Sequence, residues 1–131
     1  MRALVQTGDG VYEVDLDEEQ VLGLDTDASV EAQAVELPLP RVVAAAAEGA
    51  TIVAVVDTRP PLAISADAGR TWRQAGGGLP AGRAVAIAED NPDVVLYAAR
   101  NRLYLSTDGG LFWRALVVEL PEIEALQLRE A

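Results

Sequence analysis

The feature that most constrains this chain is an internal repeat. Segment 65–72, SADAGRTW, recurs 41 positions later as segment 106–113, STDGGLFW. A Leu-Pro dipeptide follows each segment, at 79–80 and at 120–121, and a third stands 40 residues before the first of these, at 39–40. Repeats of about 40–45 residues that contain short strands are typical of the four-stranded blades of β-propellers. The spacing therefore predicts an all-β repeat protein.

Short apolar segments divided by turn residues predict four strands in each complete repeat. The first strand of each repeat is rich in alanine, as expected where strands crowd around a central axis. A helix over 42–47 is the alternative, because alanine also favours helices. The predicted strands are 42–47, 51–56, 62–65 and 71–74 in one repeat, and 84–88, 94–98, 103–106 and 112–117 in the next.

Both repeated segments follow the pattern Ser/Thr-x-Asp-x-Gly-x-x-Trp. The pattern resembles the Asp-box, or BNR, repeat of propellers in the WD40/YVTN/BNR-like superfamily, and the resemblance covers about two-thirds of the chain. It implies a structural hairpin without catalytic residues: Ser and Asp accept backbone hydrogen bonds, Gly turns the chain, and Trp packs between blades. Calcium binding is the alternative, disfavoured because the motif offers few ligands. The matching residues are Ser65, Asp67, Gly69, Trp72, Ser106, Asp108, Gly110 and Trp113.

The first third of the chain lacks this motif but still aligns with the repeat. Segment 3–14 matches segment 95–106 without gaps, which places the second and third strands of a blade in it. That blade has no first strand at the N-terminus, whereas segment 124–128 stands where a first strand is expected. The predicted strands are 3–7, 11–14 and 35–37, and the predicted blades are 1–40 plus 122–131, 41–80, and 81–121.

Three blades are too few for a ring, since propellers have about four to eight. We therefore expect a homodimer in which two chains exchange strands and close a six-bladed ring. In that arrangement segment 124–128 of one chain pairs beside segment 3–7 of the other and covers its exposed edge. A trimer with nine blades and a fragment of a longer propeller are the alternatives.

The first blade carries an acidic insertion. Tyr12 and Pro40 are 28 positions apart, whereas the equivalent residues of the other two blades are 17 apart, which leaves about eleven extra residues. Segment 15–33 holds seven carboxylates and no cation, and it predicts a solvated acidic hairpin. A calcium loop over 25–36 is disfavoured, because Val30 stands where the sharp turn of such a loop requires glycine.

Composition excludes several kinds of chemistry. The chain has no Cys, His or Lys, which excludes thiolate, imidazole and Schiff-base catalysis and Cys/His zinc sites. A net charge of -11 argues against nucleic-acid binding. The N-terminus lacks a secretory signal pattern, and the longest apolar run, 42–47, is too short to span a membrane. We expect a cytoplasmic protein with no cofactor and no bound metal.

The predicted loops at one end of the blades carry half of the cations, and arginine forks suit carboxylate or phosphate. We therefore expect a non-catalytic binding or scaffold module that takes a protein or small anionic ligand on this face. The alternative is that the arginines of this face bind no ligand and instead form ion pairs across blade junctions with Asp9, Asp57, Asp90 or Asp93. The candidate binding residues are Arg41, Arg59, Arg83, Arg100 and Arg102.

A glycan-binding or sialidase-related glycoside hydrolase is the alternative function, since Asp-box propellers include sialidases. The chain lacks the Phe/Tyr-Arg-Ile-Pro motif that such enzymes carry, and no pair of carboxylates stands out as flanking a sugar pocket. Tyr12, Tyr97 and Tyr104 all fall in predicted strands. We therefore expect no enzymatic activity.

Overall fold

The computed structural model describes residues 1–31, 33 and 35–129, a part of the chain that consists of twelve strands and connecting loops. Residue 32 of the predicted insertion, residue 34, and residues 130 and 131 of the predicted first blade lie outside the described residues. The strands are β1 (Arg2–Thr7), β2 (Gly10–Asp15), β3 (Gln20–Asp25), β4 (Val42–Glu48), β5 (Thr51–Val56), β6 (Leu62–Ser65), β7 (Arg73–Ala75), β8 (Ala84–Ala88), β9 (Asn91–Ala99), β10 (Arg102–Ser106), β11 (Arg114–Glu119) and β12 (Ile123–Arg129).

The strands form three four-stranded antiparallel sheets, consistent with a propeller-like fold. Sheet 1 has the order β12-β1-β2-β3, sheet 2 the order β4-β5-β6-β7, and sheet 3 the order β8-β9-β10-β11. The alanine-rich segment 42–47 is part of strand β4, so the helical alternative for it is wrong. Its alanines pair with β5 in register, and this ladder overrides their helical propensity.

The last strand completes sheet 1 within its own chain. Strand β12 lies antiparallel to β1, with Ala3 opposite Leu128 and Val5 opposite Leu126. The sequence analysis predicted this pairing between two chains, and in the structure that prediction of strand exchange is wrong. The prediction named the correct pair of strands, β1 and β12, but placed them in different chains. They pair within one chain because the long connection from β3 to β4 lets sheet 1 lie beside sheet 3.

The fourth strand of sheet 1 also differs from the prediction. It is β3, at Gln20–Asp25, whereas segment 35–37 has no regular structure. The hairpin closes early because the Asp15 carboxylate accepts hydrogen bonds from the backbone N–H groups of Asp17 and Glu18, at 2.9 and 3.1 Å. A hairpin with exposed carboxylates is therefore present within the predicted stretch 15–33, but it ends at Asp25, and the extra residues lie between β3 and β4.

Two apolar cores hold the sheets together in the spatial order 2–3–1. Between sheets 1 and 3, Val5 and Val14 pack with Leu96, Leu103 and Leu116. Between sheets 2 and 3, the core contains Val53, Val55, Leu62, Ile64, Val85, Val95 and Tyr97. The innermost strands β4, β8 and β12 lie side by side around the concave centre of this arc.

Segment 26–41 connects sheet 1 to sheet 2, and we call its described residues, 26–31, 33 and 35–41, the strap. The backbone N–H of Val30 donates to the side-chain oxygen of Gln6 in β1, at 2.8 Å. Gln33 accepts a hydrogen bond from the N–H of Ala47 in β4 at 2.7 Å and donates one to the carbonyl of Ala47 at 3.3 Å. The strap is thereby tied to both end sheets.

Candidate functional site

The loops that carry the predicted arginines lie at one end of the sheets. The carbonyl of Arg41 accepts from the N–H of Asp57 at 2.9 Å, and the carbonyl of Arg100 accepts from the N–H of Ile123 at 2.6 Å. These bonds join the loops between second and third strands to the loops between sheets. We call loops 57–61, 76–83, 100–101 and 120–122, together with Arg41 and Arg102 at their margins, the loop face.

The structure divides the five arginines into two groups. Arg83 forms an ion pair with Glu122 at 3.3 Å, and Arg102 forms one with Glu119 at 2.8 Å. Neither glutamate is among the four aspartates, Asp9, Asp57, Asp90 and Asp93, that the sequence analysis named as alternative partners. The remaining three, Arg41, Arg59 and Arg100, have no ion-pair partner among the described residues. The guanidinium groups of these three are the ones available to an external anion.

Tyr97 anchors the longest loop of this face. Its hydroxyl donates to the carbonyl of Pro80 at 2.6 Å, and its ring lies where any side chain at Gly82 would stand. Burial, and to a lesser extent the neighbouring Tyr104, raise the pKa of Tyr97 to about 12. This phenol therefore remains protonated at neutral pH and serves to pack loop 76–83 against sheet 3.

A central cavity of about 470 Å³ lies between the innermost strands β4, β8 and β12 and the strap. Among the described residues, its lining includes alanines of all three strands and one cation, Arg83. The carboxylates that line it are Glu31, Glu48, Glu89 and Glu124. Sequence reasoning missed this cavity, because these residues are scattered along the chain and only the sheet order brings them together. Its acidic lining does not suit the anionic ligand expected for the loop face.

The two repeated motifs form hairpin turns in which the aspartate is a hydrogen-bond acceptor. Asp67 accepts from the N–H and hydroxyl of Thr71, at 2.9 and 2.6 Å, and from the hydroxyl of Ser65 at 2.7 Å. These bonds, those from Thr71 above all, lower the pKa of Asp67 to about 2. In the second motif the N–H of Phe112 has the largest part in lowering the pKa of Asp108. Both carboxylates therefore stabilise turns.

The tryptophans of the two motifs have equivalent local bonds and different surroundings. The indole N–H of Trp72 donates to the carbonyl of Gly69, and that of Trp113 to the carbonyl of Gly110, both at 3.1 Å. Trp113 also lies edge to face with Tyr97, at 5.9 Å between ring centres, in the core between sheets 2 and 3.

Trp72 instead faces away from sheet 3. It lies beside Ile52 above Gly69. Because side chains alternate along a strand, Ile52 lies on the face of β5 opposite Val53 and Val55, which pack towards sheet 3. The motif of sheet 2 therefore presents an apolar surface to which no other sheet of the chain is apposed among the described residues.

Two features of the described residues bear on alternatives raised by the sequence. No group of three Asp or Glu side chains comes together in a way that could hold a metal ion within the part of the chain that the structure describes. No helix among the described residues has the length and apolar character needed to cross a lipid bilayer.

Comparison with solved structures shows a likeness to a glycoside hydrolase. The structure is similar to the crystal structure of the GH74 enzyme from Niastella koreensis, a β-propeller-type glycoside hydrolase, with a TM-score of 0.51 and 22% sequence identity. The match covers 90% of this chain and 17% of that enzyme, so the chain spans a small part of its relative. No protein-family profile and no curated protein sequence matches the chain. The likeness supports the propeller-like fold.

Proposed function

We propose that this chain is a non-catalytic half-propeller whose two repeated motifs are Asp-boxes, and that two copies close a six-bladed ring that serves as a binding module. The observation that carries the proposal is the open apolar surface beside Trp72. Its counterpart in sheet 3, beside Trp113, is covered by sheet 2. Trp72 and Ile52 are half-buried, and their surface corresponds to one half of a junction that the fold already uses within the chain.

The direction of packing supports the same arrangement. Within the chain, Val55 of sheet 2 and Leu96 of sheet 3 occupy equivalent repeat positions, and each packs against the next sheet along the arc. The equivalent position in sheet 1 is Leu4, on the face of β1 opposite Val5, and the described part of the chain places no further sheet against that face. Sheet 1 of one copy would thus meet sheet 2 of the other at both junctions, and no strand exchange is required.

The test is the mass in solution by light scattering. We expect about twice the 13.8 kDa of one chain for the wild type. Ile52→Glu should give the mass of one chain, because it places a charge in the proposed junction. Val117→Glu on the outer strand β11 is the matched control, and it should keep the wild-type mass. A wild type with the mass of one chain at all concentrations would contradict the ring.

The carboxyl groups with a shifted pKa accept hydrogen bonds that stabilise the fold. Among the described residues, the carboxyl groups whose pKa departs from its ordinary value are all shifted downwards, since hydrogen-bond donors stabilise their ionised forms. They are Asp15, Glu19, Asp67 and Asp108.

The proposed binding surface for an anionic partner is the loop face, through Arg41, Arg59 and Arg100. Citrate, which carries three carboxylates, is a suitable probe in calorimetric titration. Arg59→Ala and Arg100→Ala should each weaken citrate binding at least about tenfold, the loss expected for a charge-assisted hydrogen bond of about 1.5 kcal/mol or more. Arg114→Ala is the control, because that side chain is paired with Glu19 on the outer edge. Equal loss in the control would contradict the site.

A glycan-active protein is the second candidate, favoured by the likeness to the Niastella koreensis enzyme. Incubation of the pure protein with sialosides and β-glucans, followed by measurement of released sugars, separates the two functions. We expect no release above a sample without protein. Turnover that follows the purified chain through successive chromatographic steps would contradict the non-catalytic proposal.

A further inference from the structure

The outermost strand of sheet 1 is an exposed edge. Strand β3 has six residues, and all of them are exposed. Three are large and apolar: Val21, Leu22 and Leu24 are 42%, 43% and 44% exposed. Only one edge of β3 is hydrogen-bonded in the sheet, to β2, so the N–H and C=O groups of the other edge face outwards.

The outer strands of the other two sheets are less available. Strand β7 has three residues, too few to support a long added strand. On β11, the Glu19 carboxylate accepts the N–H of Val117 at 2.9 Å and pairs with Arg114 at 2.6 Å. No described contact of this kind covers β3, which also lacks proline and basic residues, the usual protection of an edge strand.

The charge around β3 indicates which partner fits it. Residues 3–40 contain ten carboxylates and no cation. Among them Asp17 and Glu18 precede β3, Asp25 ends it and Asp27 follows it, and all four are exposed. Pairing of β3 with β3 of a second copy would bring these like charges together. A partner with positive side chains is attracted instead.

We propose that β3 is a docking edge for a basic, extended peptide segment of another protein, which adds to sheet 1 as a fifth strand. Main-chain hydrogen bonds to the free edge supply part of the affinity, and apolar side chains of the peptide cover Val21, Leu22 and Leu24. Basic residues at alternate positions then face the carboxylates that flank the strand. The edge of β3 is distinct from the face of sheet 1 that carries Leu4, which is the face that the proposed ring would use.

The test is binding of a ten-residue peptide that alternates valine with arginine, measured by fluorescence anisotropy. We expect saturable binding to wild-type protein that weakens as salt is added. A peptide that alternates valine with glutamate should bind at least tenfold more weakly. A valine–arginine peptide with alternate backbone N-methyl groups should also bind at least tenfold more weakly, because it cannot complete the ladder. Equal binding of all three peptides, or no binding of the first, would overturn the proposal.

Two matched variants locate the edge. The double substitution Val21→Lys with Leu24→Lys should weaken binding of the valine–arginine peptide at least tenfold. Ala115→Lys with Val117→Lys likewise adds two lysines at exposed positions, on β11, and should leave affinity within twofold of wild type. Circular dichroism and urea midpoints confirm that both variants fold. Equal loss of affinity in both variants would overturn the proposal. It would also be overturned if the double variant kept its peptide affinity but had half the wild-type mass in solution, because β3 would then pair with a second copy of the chain.

Discussion

The two motif tryptophans give the sharpest test of how the sheets pack. Truncating a fully buried Trp or Phe to Ala costs about 3–5 kcal/mol, and a half-buried ring about half of that. Trp113→Ala also removes the edge-to-face contact with Tyr97, which adds about 0.5–1.5 kcal/mol. We therefore expect a loss of about 2–4 kcal/mol for Trp113→Ala at any protein concentration.

Trp72→Ala should act through association. Trp72 belongs to neither of the two cores between sheets, so the loss of intrinsic stability should be smaller, about 1–2 kcal/mol. In the proposed ring, however, Trp72 lies in the junction between two copies. Urea unfolding at two protein concentrations about a hundredfold apart should shift the apparent stability of an associating wild type by up to about 2.7 kcal/mol. Trp72→Ala should reduce this dependence on concentration, and Trp113→Ala should retain it.

Phe112→Ala is the control for both tryptophan substitutions. Phe112 is 79% exposed at the tip of the second motif, and Phe112→Ala should change the free energy of unfolding by no more than about 0.5 kcal/mol. The reasoning would be refuted if Trp72→Ala kept the concentration dependence of the wild type and Trp113→Ala abolished it. It would also fail if neither substitution cost as much as about 1 kcal/mol.

Three further predictions concern single contacts. Gly82→Ala should lower the free energy of unfolding by about 1–3 kcal/mol in urea denaturation, because the added methyl group collides with the buried ring of Tyr97. The pKa of Asp67 falls from its ordinary 3.8 to about 2 on folding. Its ionised form therefore stabilises the fold above about pH 4, and this contribution disappears as the pH falls towards 2. Asp67→Asn should flatten the acid side of a curve of unfolding free energy against pH. Glu19→Ala should speed hydrogen exchange at the N–H of Val117, measured by NMR, since the carboxylate covers that group.

The repeat predicted most of the fold because each repeated segment carries its own strands and turns. The strands at 51–56, 62–65 and 84–88 coincide with β5, β6 and β8. The motif turns also follow from local chemistry, since Ser and Asp at fixed offsets accept the backbone N–H groups of a tight hairpin. Local signals of this kind need no knowledge of the neighbouring sheets.

The failures concern non-local structure. Strand β3 was missed because its sequence, QVLGLD, lacks the motif and its position depends on the short turn capped by Asp15. The pairing of β12 with β1 was predicted between two chains. The sequence pattern indicates which strands pair, but it does not indicate whether the two strands belong to the same chain or to different copies. The acid-lined central cavity depends on side chains that only the sheet order brings together, and sequence gives no signal for it.

The most direct test of the account is whether β12 completes sheet 1 of its own chain. Leu4 and Gln127 are opposite each other in the β1–β12 ladder, and the chain has no native cysteine. A variant with both Leu4→Cys and Gln127→Cys can therefore be oxidised in the folded state and analysed on a denaturing gel without reductant. We expect a disulfide within one chain and a band at the mass of a single chain. A covalent dimer that appears at all protein concentrations would contradict the account, because β12 would then pair with the β1 strand of another copy.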